Sequence, residues 1–148
     1  MAIATILSGI TNNIPITISL ASLANNGVAV SSAFDNSASR HQSADVRVKI
    51  KTGTGTSPTG EVCVMFLKSS DGGTTFDDAD ESNAMVLISF VANQDNTFYT
   101  VSADTAANGG QLAEFFKIAI LNESGAAFDS TPGNFAVNFL GKHILTTP

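Results

Sequence analysis

The sequence predicts an all-β chain folded as an antiparallel β-sandwich, jelly-roll-like, with about eight strands. Three observations predict it. Ala44, Val46, Val48 and Ile50 alternate with Asp45, Arg47, Lys49 and Lys51, the period of a strand with one buried face. Turn signals such as Asn25-Asn26-Gly27 and Asp71-Gly72-Gly73 separate short apolar runs along the whole chain. No run carries a strong helical stripe, and 148 residues with ten Phe suffice for an aliphatic and aromatic core without disulfide or metal.

Residues 1–14 read as an N-terminal arm or an edge strand, with Ile3, Ile6, Leu7 and Ile10 available for burial. Residues 15–148 read as one sandwich domain. From Ile14, the residues Ile16, Ile18 and Leu20 face inward and Thr17 and Ser19 outward, a half-buried strand. Val28 to Ser32 form a second short strand after the Asn-Gly turn, and Phe34 to Ser43 a loop. The 44–51 strand has one wet face, on which Arg47, Lys49 and Lys51 recur at period two. That row suits an acidic neighbour or the solvated face of an outer strand.

Residues 52–60 are a flexible connection leading to Glu61-Val62-Cys63-Val64-Met65-Phe66-Leu67-Lys68. Both parities of this strand are apolar, so it belongs in the middle of a sheet, and it is expected to pair with 44–51 as an antiparallel hairpin. Met85 to Val91 and Thr97 to Val101, joined by Asn93-Gln94-Asp95-Asn96, imply another hairpin. The run from Gln111 to Leu121 fits either period, but the β-branched Ile118 and Ile120 favour strand. Phe135, Val137 and Phe139 open the final strand, which runs to near Leu145.

Ser69-Ser70-Asp71-Gly72-Gly73-Thr74-Thr75-Phe76 resembles the Asp-box hairpin of sialidases and other β-propellers. The likeness covers eight residues. It implies structural duties for Ser69, Asp71, Gly73, Thr75 and Phe76: side-chain bonds that stabilise a turn, with the aromatic packed beneath. A propeller needs several such blades, and one copy in this length reads as a stabilised hairpin. Asp77, Asp78, Asp80 and Glu81 follow, hard oxygen donors of the kind calcium takes. Their spacing is not that of an EF-hand, and the alternative is a solvated acidic loop.

Composition excludes several function classes. A net charge of −6 argues against direct nucleic-acid binding. No run approaches the roughly 20 apolar residues of a membrane span. His41 and His143 stand apart with no nucleophile pattern beside them, and no phosphate-binding loop, Gly-x-Ser-x-Gly or His-Glu-x-x-His occurs, so neither an enzyme nor a cofactor is expected. Cys63 is alone and reads as a small core residue. The N-terminal stretch lacks the basic region and apolar run of an export signal. Only 14% of residues are charged, against about 25% in typical domains, while Ser, Thr, Asn and Gln number 46. Such a surface suits permanent packing against other subunits or is simply that of a Ser/Thr-rich β-protein.

Three stretches between residues 20 and 78 give the chain a wider resemblance. They are Leu20-Ala21-Ser22-Leu23 with Val30-Ser31-Ser32-Ala33-Phe34-Asp35-Asn36, then Ala44 to Gly53, then the Ser-x-Asp-Gly-Gly-Thr turn. Together they resemble small virion proteins of tailed bacteriophages, the β-sandwich cement or decoration proteins of the capsid. The resemblance implies a protein made in the host cytoplasm and carried on the virion. There it would bind the major capsid protein as a homo-oligomer, a dimer or trimer, and stabilise the lattice. Ile3, Ile6, Leu7 and Ile10 of the arm, and Arg47, Lys49 and Lys51, are the contacts expected. A carbohydrate-binding or tail- or neck-associated β-sandwich module is the alternative; Tyr99 beside Phe98 would be its stacking residue.

Overall fold

The computed structural model describes residues 5–10, 13–106 and 112–146. Among these, ten strands form two antiparallel sheets: β1 (Thr5–Ile10), β2 (Ile14–Pro15), β3 (Gly27–Val30), β4 (Phe34–Asp35), β5 (Ser43–Lys51), β6 (Gly60–Lys68), β7 (Met85–Ala92), β8 (Phe98–Asp104), β9 (Phe115–Glu123) and β10 (Ala136–Thr146). The first sheet runs β1-β10-β5-β8, with β2 also on β10; the second runs β3-β9-β6-β7, with β4 also on β9. With β2 and β4 as short additions, this interleaved order of eight strands is the jelly-roll layout. The fold is the all-β sandwich the alternation implies.

In this order almost every connection passes from one sheet to the other, and two expected hairpins are corrected by it. β5 pairs with β10 and β8, whereas β6 pairs with β7 and β9, so residues 52–59 cross between layers. β7 and β8 likewise belong to different sheets. The physical reason lies in burial. β5 buries Ala44, Val46, Val48 and Ile50 and leaves the other face wet, while β6 buries six consecutive residues, Val62 to Leu67, and needs cover on both faces. Side chains join the two crossings. Asp95 accepts the Gly55 and Thr56 amides at 3.0 Å each, and Thr52 Oγ1 donates to the Gln94 carbonyl at 2.7 Å.

Other expectations are adjusted. The alternation from Ile14 to Leu20 is real, but only Ile14–Pro15 joins a ladder, because past Pro15 a single Ile16 amide bond to Val137 continues along β10. The cationic row sits on β5, between β10 and β8, and so on an interior strand of its sheet. Asp71-Gly72-Gly73 bends a long connection between β6 and β7, not a tight two-residue hairpin. Of the Gln111–Leu121 run, Phe115 to Leu121 lie in the strand β9 (Phe115–Glu123).

Four Phe rings lock the sheets together. Phe116 of β9 lies 4.9 Å from Phe66 of β6 and 5.1 Å from Phe34 of β4, and Phe139 of β10 meets Phe34 edge-on at 4.5 Å. Around them pack Val46, Val48, Ile50, Val62, Val64, Ile118, Ile120 and Val137. A second, smaller core lies on the far side of β6, where Cys63, Met65, Leu67 and Ala119 are covered by Phe76, Ala79 and Ala84 from the β6–β7 connection. That cover explains why β6 is apolar on both parities.

Candidate functional site

The β6–β7 connection is shaped by one carboxylate. Asp71 accepts the Ser69 hydroxyl at 2.8 Å, the Thr74 and Thr75 amides at 3.1 and 2.8 Å, and the Thr75 hydroxyl at 2.7 Å. These bonds, the Thr75 amide foremost, hold its acid form off until a pKa of about 2. Ser69 Oγ accepts the Gly73 amide at 2.8 Å. Gly73 has φ +88°, and a Cβ there would sit 3.0 Å from the Phe115 ring, so a side chain is doubly disfavoured. Phe76 turns down into the small core with Lys117 Nζ 4.2 Å over its ring. The five residues therefore shape and anchor a loop.

The neighbouring acids do not converge. Asp77 accepts the Lys68 amide at 3.0 Å, and Asp80 accepts the Ser82 and Asn83 amides and the Asn83 side chain. Among the described residues no three His, Cys, Asp or Glu side chains are grouped to hold a metal ion. Cys63 is fully buried, and that burial, with Glu81 next, pushes its thiol up to about 12. It is the opposite of an activated nucleophile.

The outer face of the first sheet gathers the cations. Strand parity puts Asp45, Arg47, Lys49 and Lys51 of β5 on that face. Register sets Asp104, Ser102, Thr100 and Phe98 of β8 opposite them on one side, and Leu140, Asn138 and Ala136 of β10 on the other. Four of the seven Lys and Arg residues lie here, counting Lys142. Lys142 is neutralised by Asp45 at 2.8 Å and Asp104 at 2.9 Å, and Lys51 lies 3.6 Å from Asp129. Among the described residues, Arg47 and Lys49 have no carboxylate within salt-bridge range. Phe98 is 49% exposed, with Lys49 Nζ 4.7 Å and Lys51 Nζ 5.4 Å from its ring centre.

The expected aromatic is thereby exchanged for its neighbour. Tyr99 faces inward against the core, near Phe90, and its hydroxyl accepts the Asn93 and Gln94 amides at 3.0 and 2.9 Å, so it is committed to the β7–β8 crossing. Phe98 is the ring that faces solvent. Parity carried the signal: Phe98 falls in step with Thr100 and Ser102, whereas Tyr99 falls in step with Val101 and Ala103.

No protein-family model matches the chain, and no curated protein does. Solved structures similar to it include two carbohydrate-binding domains. One is the CBM22-1 xylan-binding domain of Paenibacillus barcinonensis Xyn10C, at 7% identity over 95% of this chain and 86% of that one, with a TM-score of 0.39. The other is a mannan-recognising carbohydrate-binding module, TmCBM27, at 8% identity over 97% and 89%, with a TM-score of 0.36. So distant a likeness bears on no residue of this chain.

Of the arm residues, Ile3 lies outside the described residues. Ile6, Leu7 and Ile10 are placed by backbone pairing opposite Leu145, Ile144 and Lys142 of β10, at the edge of the first sheet. At the same end, the rings of His41 and His143 meet at a tilt of 49°, their centres 4.4 Å apart. His41 borders a surface cavity of about 440 Å³ lined also by Asn36, Ser37, Arg40, Gln42, Leu112 and Glu114. The two histidines are far apart in sequence, and no local pattern could have joined them.

Proposed function

We propose that this chain is a non-catalytic attachment module that docks on a larger polar surface through the outer face of its first sheet. One observation carries the reading: Phe98 stands exposed among Lys49, Lys51 and Arg47 on a chain whose overall charge is negative. Cations concentrated on one face against the sign of the whole molecule mark a place for an acidic partner. Thr100, Ser102 and Asn138 add hydrogen-bonding groups beside them. An aromatic face with flanking cations and hydroxyls fits a carboxylate-bearing carbohydrate: the ring covers a sugar face and the cations meet the acid groups. Retardation of the native protein in gels containing polygalacturonate, but not in gels containing neutral xylan or mannan, tests this. Equal migration in all of them speaks against an acidic glycan.

A second reading rests on the other sheet. β3 is a four-residue edge strand that exposes Val28 and Val30 to 40% and 43%, and among the described residues it pairs only with β9. An open edge with apolar side chains suits packing between protein subunits. This supports the virion reading, a homo-oligomeric cement protein on the major capsid protein. Mass spectrometry of purified particles decides between the two: a fixed copy number per capsid favours it, and absence from particles removes it.

A further inference from the structure

His41 is 3% exposed, and among the described residues neither of its ring nitrogens has a hydrogen-bond partner. A buried imidazole in that state is unusual, since buried polar groups are nearly always paired. Its backbone is firmly held. Asn36 Oδ1 accepts the His41 amide and Asn36 Nδ2 donates to the His41 carbonyl, both at 2.9 Å, closing the 36–41 loop. The next residue fastens that loop to the body: the Gln42 amide donates to the Lys142 carbonyl at 2.9 Å, and the Leu112 amide donates to the Gln42 carbonyl at 2.8 Å. The ring lies over Gly141, where any Cβ would collide with it, and edge-on to Phe139 at 6.0 Å.

We infer that the packed His41 and His143 rings form an acid-sensitive latch, in which protonation of His41 opens the 36–42 loop from β10. While His41 is neutral its ring packs on that of His143 as an apolar group, the two planes tilted by 49°. A proton on His41 places a cation against the His143 ring and must sit where no acceptor meets it. Little around the pair offsets that charge. The loop itself adds Arg40, a cation, and Asp35, whose carboxylate is engaged by the Ser37 amide. β10 adds Lys142, which points to the opposite face and is paired with Asp45 and Asp104. The segment before β9 adds Glu114, which lines the cavity without bonding either His41 nitrogen. Ser43 and Ala44 begin β5, and β1 carries no ionisable side chain.

Burial first, and then His143, lower the pKa of His41 below 6.5. The open form therefore takes up protons that the closed form refuses. The latch is fully stable above about pH 6.5 and loosens as pH falls below it.

The chain holds only these two histidines, so proton NMR of the native protein from pH 8 to 4.5 follows both rings, and H143Q assigns them. The expected result is a His41 midpoint below that of a free histidine, with amide exchange at residues 36–42 becoming several-fold faster across the same interval. His41→Gln should abolish that acceleration. A normal His41 midpoint, or exchange at 36–42 that does not change between pH 7.5 and 5, overturns the latch. The wild-type titration decides between these outcomes even if H41Q fails to fold.

Discussion

Asp71 keeps its charge because four donors converge on it, and a proton must displace them. Its folded pKa of about 2 lies below the ordinary value of 3.8, so its contribution is present above about pH 4 and is lost as pH falls toward 2. Asp129, held to about 2 chiefly by the Thr131 amide and then Asn134, behaves alike. We expect D71N to lower the melting temperature at pH 7 by a few degrees and to flatten the acid limb between pH 4 and 2, read by circular dichroism melts. An acid limb identical to wild type would show that the turn does not depend on the carboxylate. Cys63 gives the second prediction at this scale: a buried thiol with a pKa of about 12 should resist iodoacetamide at pH 8 in the native protein and react at once in denaturant. Rapid native labelling would mean that the β6–β7 connection does not cover β6.

Among the elements, β6 is buried on both faces: β5, β9 and β10 build the larger core with it, and the connection 69–84 covers the smaller one. Phe116 is 1% exposed and touches Phe34, Phe66 and Phe139, so F116A should cost about 3–5 kcal/mol in urea unfolding. Phe76→Ser should instead act locally: the 69–84 connection becomes a protease site while the main transition persists, because only the small core loses its cover. Cleavage no faster than in wild type would mean that Phe76 is not the anchor. At this level much could be read in the sequence. Alternation located β5, two apolar parities placed β6 mid-sheet, and the β-branched Ile118 and Ile120 marked β9 as a strand. Pairing could not be read. A chain that passes between layers at residues 52–59 and 93–97 has the same turn chemistry as one that doubles back in a hairpin, and only the demand of β6 for two covers separates them. The histidine pair was equally hidden, since it needs the Asn36 loop closure and the β10 register together.

For the molecule as a whole, the two sheets present different outsides. The second sheet buries part of its outer face in a small core under the 69–84 connection and leaves Val28, Val30 and Val91 exposed. The first sheet leaves its outer face open, and there the cations meet Phe98. The cationic row was legible from period two, but Phe98 becomes prominent only once register sets it opposite Lys51. Charge on such a face acts at long range and fades with salt, so binding through it should weaken several-fold between 50 and 300 mM NaCl. The most direct measurement compares wild type with the K49E/F98A double variant by affinity electrophoresis in polygalacturonate. Both changes sit on an exposed face, so the melting temperature should stay within a few degrees. Docking through this face predicts that polygalacturonate retards the wild type and releases the variant; retardation of the variant at wild-type strength would contradict it.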